Sequence, residues 1–179
     1  MLERKVLEKI FQKYDFLDYR WIRPQDIVVS QWVRLKCTFG CPTYGKKGSC
    51  PPNTPSVAEC REFFSEYQHA VVFRVQAQVE DSEERAAWSA GVNSSLLKVE
   101  RDVFLHGFPK AFLLFLDECC LCSECPGTRI ECKNLKSCRP CPEALAIDVF
   151  ATVRAYDYPI EVLTDYRQVM NRYSFLLID

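Results

Sequence analysis

No apolar run in the sequence approaches the ~18 residues needed to cross a bilayer. The longest, "AFLLFL" (Ala111 to Leu116), is strand-sized. Charge of either sign is not in excess. Lys and Arg number 23, Asp and Glu 24, for a net charge of −1. That removes the electrostatic case for a nucleic acid or an anionic membrane as partner. Histidine is scarce: His69 and His106 are the only two. Neither belongs to a Ser/His or Cys/His constellation for nucleophilic hydrolysis, and His106 falls at an expected helix C-terminus, where its positive form suits the dipole. "GKKGS" lacks the first glycine and the strand–helix setting of a phosphate loop. The segment "MLERKVLEKIFQKY" has no apolar core of the secretory kind and carries acidic residues, so cytoplasmic residence is the expectation. There is no internal repeat, low-complexity tract or linker, and residues 1–179 read as a single domain.

Sulfur, by contrast, is abundant. The chain has eleven cysteines, an odd number. A domain of 179 residues buries roughly 70% of its unfolded surface and needs no covalent staples. Disulfides belong to oxidising compartments and small secreted scaffolds. Metal binding or redox chemistry is therefore the stronger reading.

Patterning gives an α/β (α+β) fold, a mixed sheet with packed helices. Leu2, Val6, Ile10 and Tyr14 recur as on an amphipathic helix. Asp26 to Lys36 reads as a β-branched strand leading into Cys37. Ser56-x-x-Glu59 is a capping box that opens a helix to about Tyr67. Val71 to Glu80 alternates strictly, as for a strand with one buried and one wet face. Asp81-x-x-Glu84 opens a long helix to about Leu105, with Gly91 its weak point. "AFLLFL", apolar on both faces, reads as a central strand. A helix from Pro142 to Arg154 and strands at Ile160–Leu163 and Tyr173–Ile178 complete the pattern. A ferredoxin-like unit from residue 70 onward is the expected topology. Two long loops, 37–55 and 118–142, carry most of the cysteines. A 25-residue loop without regular structure is uncommon unless it has a function.

The spacing within these loops narrows the chemistry. Cys119, Cys122 and Cys125 stand at C-x2-C-x2-C, the opening of a bacterial ferredoxin run. Tight turns of this kind aim both sulfurs and backbone N–H groups at an anionic cluster. Cys132 is the nearest fourth ligand. A competing partition, Cys122-x2-Cys125 with Cys138-x2-Cys141, would make a zinc ribbon. Four cysteines (41, 50, 125 and 141) precede proline, against about 0.6 expected by chance from this composition, and Cys-Pro is a feature of ferredoxin loops. The first loop supplies Cys37-x3-Cys41-x8-Cys50. Its glycines let the backbone curl round an anion, and Lys46 and Lys47 offset negative charge. The spacing is not C-x3-C-x2-C, so radical chemistry with S-adenosylmethionine has no support. Three thiols make an open site, or Cys60, Cys138 or Cys141 completes the set in space.

The stretches "VRLKCTFGCPTYGKKGSCPPNTPSVAECREFF", "CCLCSECPGTRIECKNLKSCRPCPEALAIDVFATVRAYDYPIEVLTDY" and "NRYSFLLID" resemble the predicted metal-binding protein family of bacteria and archaea, a cysteine-rich family frequent in anaerobes. The resemblance runs from about Val33 onward. It implies that Cys37, Cys41, Cys50, Cys119, Cys122, Cys125 and Cys132 are the metal-set positions, with iron–sulfur as the implied cofactor. It leaves Cys60, Cys120, Cys138 and Cys141 as extras and says little about a reaction.

The residues themselves give Cys60 the reading of a packed thiol on a buried helix face and Cys120 that of a spare thiol. Asp117 and Glu118 read as solvated, and Tyr44 as a shield for the metal site. The functional expectation is an iron–sulfur protein carrying one or two [4Fe-4S] clusters in electron transfer, with a redox partner protein or small-molecule substrate. The alternatives are an enzyme with an open iron at Cys37, Cys41 and Cys50, doing Lewis-acid or sulfur-transfer chemistry, and a structural zinc interaction module.

Overall fold

A continuous apolar run from Ala70 to Phe73, its side chains facing the two sides of the strand in turn, builds the centre of the molecule. The structure, a computed structural model, describes residues 3–179. Four strands, β1 (Tyr19–Ile22), β2 (Ala70–Ala77), β3 (Phe112–Leu114) and β4 (Met170–Leu177), form one sheet in the order β1-β2-β4-β3. Every pairing is antiparallel, so the sheet is not the mixed one expected. Helices cover both faces. α1 (Arg4–Lys13) and α4 (Ser82–Leu105) pack Leu7, Phe11, Leu96 and Val103 against Val71 and Phe73. α3 (Val57–Ser65) and α5 (Val149–Arg154) pack Phe64 and Val153 against Val72 and Phe175 on the other side. The expected wet face of β2 is thus dry from Ala70 to Phe73; alternation registers which side a residue faces, not what covers that side. No helix among the described residues is long and apolar enough to cross a membrane.

β2, α4 and β3 form a split β-α-β unit, with β4 inserted between two strands that run the same way. That much of the ferredoxin-like expectation is present. A full unit from residue 70 onward is not, because the fourth strand is the N-terminal β1. "AFLLFL" is an edge strand rather than a central one. Its outward N–H groups are satisfied by α4: Leu113 N donates to Glu100 Oε1 (2.8 Å) and Leu116 N to Asn93 Oδ1 (3.2 Å). A covered edge cannot recruit a foreign strand. Glu100, 6% exposed, also accepts from Arg139 Nε at 2.9 Å. Glu100→Ala strands that guanidinium and an amide together. We expect a loss of roughly 3–5 kcal/mol, read as a lower urea midpoint with unchanged slope; Glu100→Gln should lose less.

Local signals account for other elements. Ser56 and Glu59 close the reciprocal box at the start of α3, and the Asp81 carboxylate caps α4 through Glu83 N and Glu84 N. α1 buries Leu7, Ile10 and Phe11, a face turned one residue from the expected one; Leu2 lies outside the described residues. Three expectations fail. Asp26–Lys36 is not a strand. Ile27–Val29 makes only an isolated bridge to Ile147, and α2 (Gln31–Gly40) follows. The helix from Pro142 is interrupted: a 3-10 turn (Glu143–Leu145) ends at Ala146 with φ of 60°, and α5 begins at Val149. Ile160–Leu163 forms no strand.

Candidate metal centre

The cysteines divide into two sets, and three chain segments contribute to both. Cys37 lies near the end of α2 and Cys41 just beyond it. Arg34 of the same helix donates to Pro55 O (2.9 Å) and Ala144 O (3.0 Å). It thereby clamps α2 between the end of the first loop and the 3-10 turn that follows Cys141. Between them the first loop folds by local bonds, Gly45 N to Pro51 O (2.9 Å) and Cys50 N to Lys47 O (3.1 Å), with Gly45 at φ of 72°. The result is a cavity of about 500 Å³ whose walls include Cys37, Cys41, Cys50, Cys120 and Cys141, with Tyr44 beside them. Burial and Glu118 push the Cys50 thiol up to about 12. Burial also raises Cys37 and Cys120, and raises Cys141 strongly, with Glu143 adding to it.

The second set centres on Cys138. Its thiol lies beside Cys119, a neighbourhood that raises Cys138 and lowers Cys119, with Ser49 and Cys132 near it. Asn134 Nδ2 donates to Cys122 Sγ at 2.9 Å, while Asn134 O accepts from Cys138 N at 2.8 Å. Cys125 Sγ accepts from Gly48 N at 3.5 Å. Amide donors aimed at sulfur are what a thiolate-bound anionic centre requires. Cys119, Cys132 and Cys138 thus lie together, and Cys122 and Cys125 are tied to them through Asn134 and Gly48.

The two sets stand back to back. Ser49 faces the second set and Cys50 the first. Cys119 faces the second and Cys120 the first. Cys138 and Cys141 divide in the same way. The seam is tight at Gly48, where an added Cβ would lie 2.7 Å from Thr128 O. Asn53 Nδ2 crosses it, reaching Lys47 O (3.2 Å) and Gly127 O (2.9 Å). Lys47 pairs with Glu118 at 3.7 Å.

All seven favoured cysteines fall in one set or the other. Of the zinc-ribbon quartet, Cys141 lines the first cavity and Cys138 neighbours Cys119 and Cys132. Cys138 and Cys141 are not extras by position, nor is Cys120 remote from the first cavity. Cys60 is one: 1% exposed, it packs with Phe64 in the core and points its thiol at Pro55 O, 3.7 Å away. All eleven cysteines are free thiols. The sulfurs line walls rather than meet at a point, and among the described residues no three His, Cys, Asp or Glu side chains stand close enough for one ion. Asp117 is not solvated. It takes Arg85 Nη2 (2.5 Å) and Ser89 Oγ (2.7 Å). Ser89, Asn93 and Arg85 recur every four residues on α4, a polar stripe that could have flagged this partner. His69 pairs with Asp179 (2.7 Å), and His106 bonds Asp102 O (2.7 Å).

A family model described as "Predicted metal-binding protein (DUF2284)" matches residues 20–178. The chain belongs to this family. Members are thus predicted to bind metal, and the cysteine loops of this member lie wholly inside the matched span. No curated protein and no solved structure matches the chain.

Proposed function

We propose that this metal-binding protein holds two iron–sulfur clusters and moves electrons between a partner and a substrate. Cys37, Cys41, Cys50 and Cys141 ligate one. Cys119, Cys122, Cys125 and either Cys132 or Cys138 ligate the other. The observation that carries the reading is the division of adjacent residues between two back-to-back thiol sets. Five thiols (Cys37, Cys41, Cys50, Cys120 and Cys141) around a cavity of about 500 Å³ offer the four ligands a polynuclear group needs, and the N–H donors to Cys122 and Cys125 suit its negative charge. Such a group would supply single-electron chemistry at a potential tuned by hydrogen bonds to sulfur and by burial. The chain's own residues would fix its position, exclude water and offset charge through Lys47 and Arg34.

The first set has Cys141 at hand as its fourth thiol, which weighs against an open iron at Cys37, Cys41 and Cys50. The zinc module would need Cys122, Cys125, Cys138 and Cys141 together. Anaerobically purified protein is expected to be brown, with broad absorption at about 400 nm that bleaches on reduction. Colourless protein carrying stoichiometric zinc would overturn the proposal.

A further inference from the structure

On the side of the first cavity away from the cysteines lies a second cavity, of about 700 Å³, and the two share a wall made by Arg85, Tyr166 and Arg172. The charges at this wall do not balance. Asp117 is taken by Arg85 through two contacts, 2.5 Å and 3.3 Å. Glu118 is held by Thr43 (2.7 Å) and Lys47 (3.7 Å), and Asp165 by Arg167 (3.4 Å). Arg172, on β4, makes a single ion contact, 3.9 Å to the same Asp117 oxygen. Glu143 and Glu161 also line the cavities, yet neither reaches an ion-pair contact with it. Its Nε is buried without a hydrogen-bond partner.

A guanidinium carries five donors in a fixed fork. A carboxylate matches that fork with two parallel bonds. One part of the second cavity is apolar, with Phe150, Ile160, Leu163 and Val169 among its walls, while Arg85, Arg172, Glu161, Asp165 and Thr164 make the rest polar. A pocket that sets an apolar wall beside a few polar groups is a usual form of a small-molecule site. We propose that Arg172, with Arg85 and Tyr166, binds the carboxylate of a small organic acid whose apolar body lies between Phe150, Ile160, Leu163 and Val169. The site stands on the guanidinium and the cavity, not on what the cysteines hold; its place beside the first thiol set puts the acid next to the proposed redox centre.

The test is calorimetric titration of the anaerobically purified full chain with phenylacetate, acetate and inorganic phosphate, with metal analysis of the same samples. Phenylacetate is expected to bind saturably and at least tenfold more tightly than acetate or phosphate. Arg172→Gln should weaken it at least tenfold while metal content is kept. Val169→Asn, at a position 54% exposed, should weaken phenylacetate but not acetate, and it carries the test if Arg172→Gln fails to fold. Lys9→Ala, at an exposed position of α1 that lines neither cavity, should change nothing. Absence of saturable binding, phosphate bound as tightly as phenylacetate, or Arg172→Gln that loses metal with phenylacetate affinity intact would each overturn the proposal. Wild-type protein that binds phenylacetate but contains no iron would contradict the iron–sulfur reading and leave this one standing.

Discussion

Cys141→Ala is expected to remove one metal centre and leave the other. Cys141 lines the first cavity with Cys37, Cys41 and Cys50, three residues beyond Cys138, which lies beside Cys119 in the second set. Iron per chain should fall to about half, because a cluster short of a thiolate is lost as a unit. Cys37→Ala should do the same. The double variant should lose no more than either single one, since residues that serve one centre do not add. Cys60→Ala is the control: that thiol packs in the core and its loss should leave iron content unchanged. If Cys141→Ala keeps its full iron, Cys141 is not the fourth ligand of the first set and the assignment fails.

Gly48→Val is expected to damage both centres at once. The Cβ it introduces meets backbone on the opposite loop, 2.7 Å from Thr128 O and 3.1 Å from Thr128 C. No side chain is there to swing aside. Forced overpacking costs typically 1–3 kcal/mol. Here the strain falls on the seam where Gly48 N bonds Cys125 Sγ and where Ser49 and Cys50 face opposite sets. Iron should be lost from both sets, and reconstitution should be slower. Gly91→Ala is the contrast. It lies in the middle of α4 with nothing within 4 Å of the added carbon, and should stabilise by about 1 kcal/mol. Equal behaviour of the two variants would mean that the loops do not dock as described.

Signals that act over a few residues were legible in the sequence. The Ser56–Glu59 box and the Asp81 cap need no distant partner to be recognised, and the strand expected at Tyr173–Ile178 lies within β4 (Met170–Leu177) but for its last residue. What was not legible depends on distant chain. α2 turns Trp32, Leu35 and Phe39 outward, the last 85% exposed. Of its apolar residues only Val33 is buried, so periodicity cannot mark it as a helix. It is held instead by Arg34 across 21 and 110 residues. The edge position of "AFLLFL" is hidden because α4 side chains cover its free N–H groups. Asp117 looked solvated because its partners, Arg85 and Ser89, lie about thirty residues upstream.

The cysteine loops divide along the same line. Spacing drew attention to Cys37, Cys41 and Cys50 in one loop and Cys119, Cys122 and Cys125, with Cys132 nearest, in the other, and the family resemblance implied the same seven. Neither signal placed Cys120, which faces away from its neighbour Cys119. Nor did they place Cys141, which joins Cys37, Cys41 and Cys50 from 91 or more residues away.

Iron, acid-labile sulfide and zinc should be counted on anaerobically purified wild-type chain. Two clusters predict about eight iron and eight sulfide per chain and no stoichiometric zinc. Zinc without sulfide, or iron at about one or two per chain, would contradict the account.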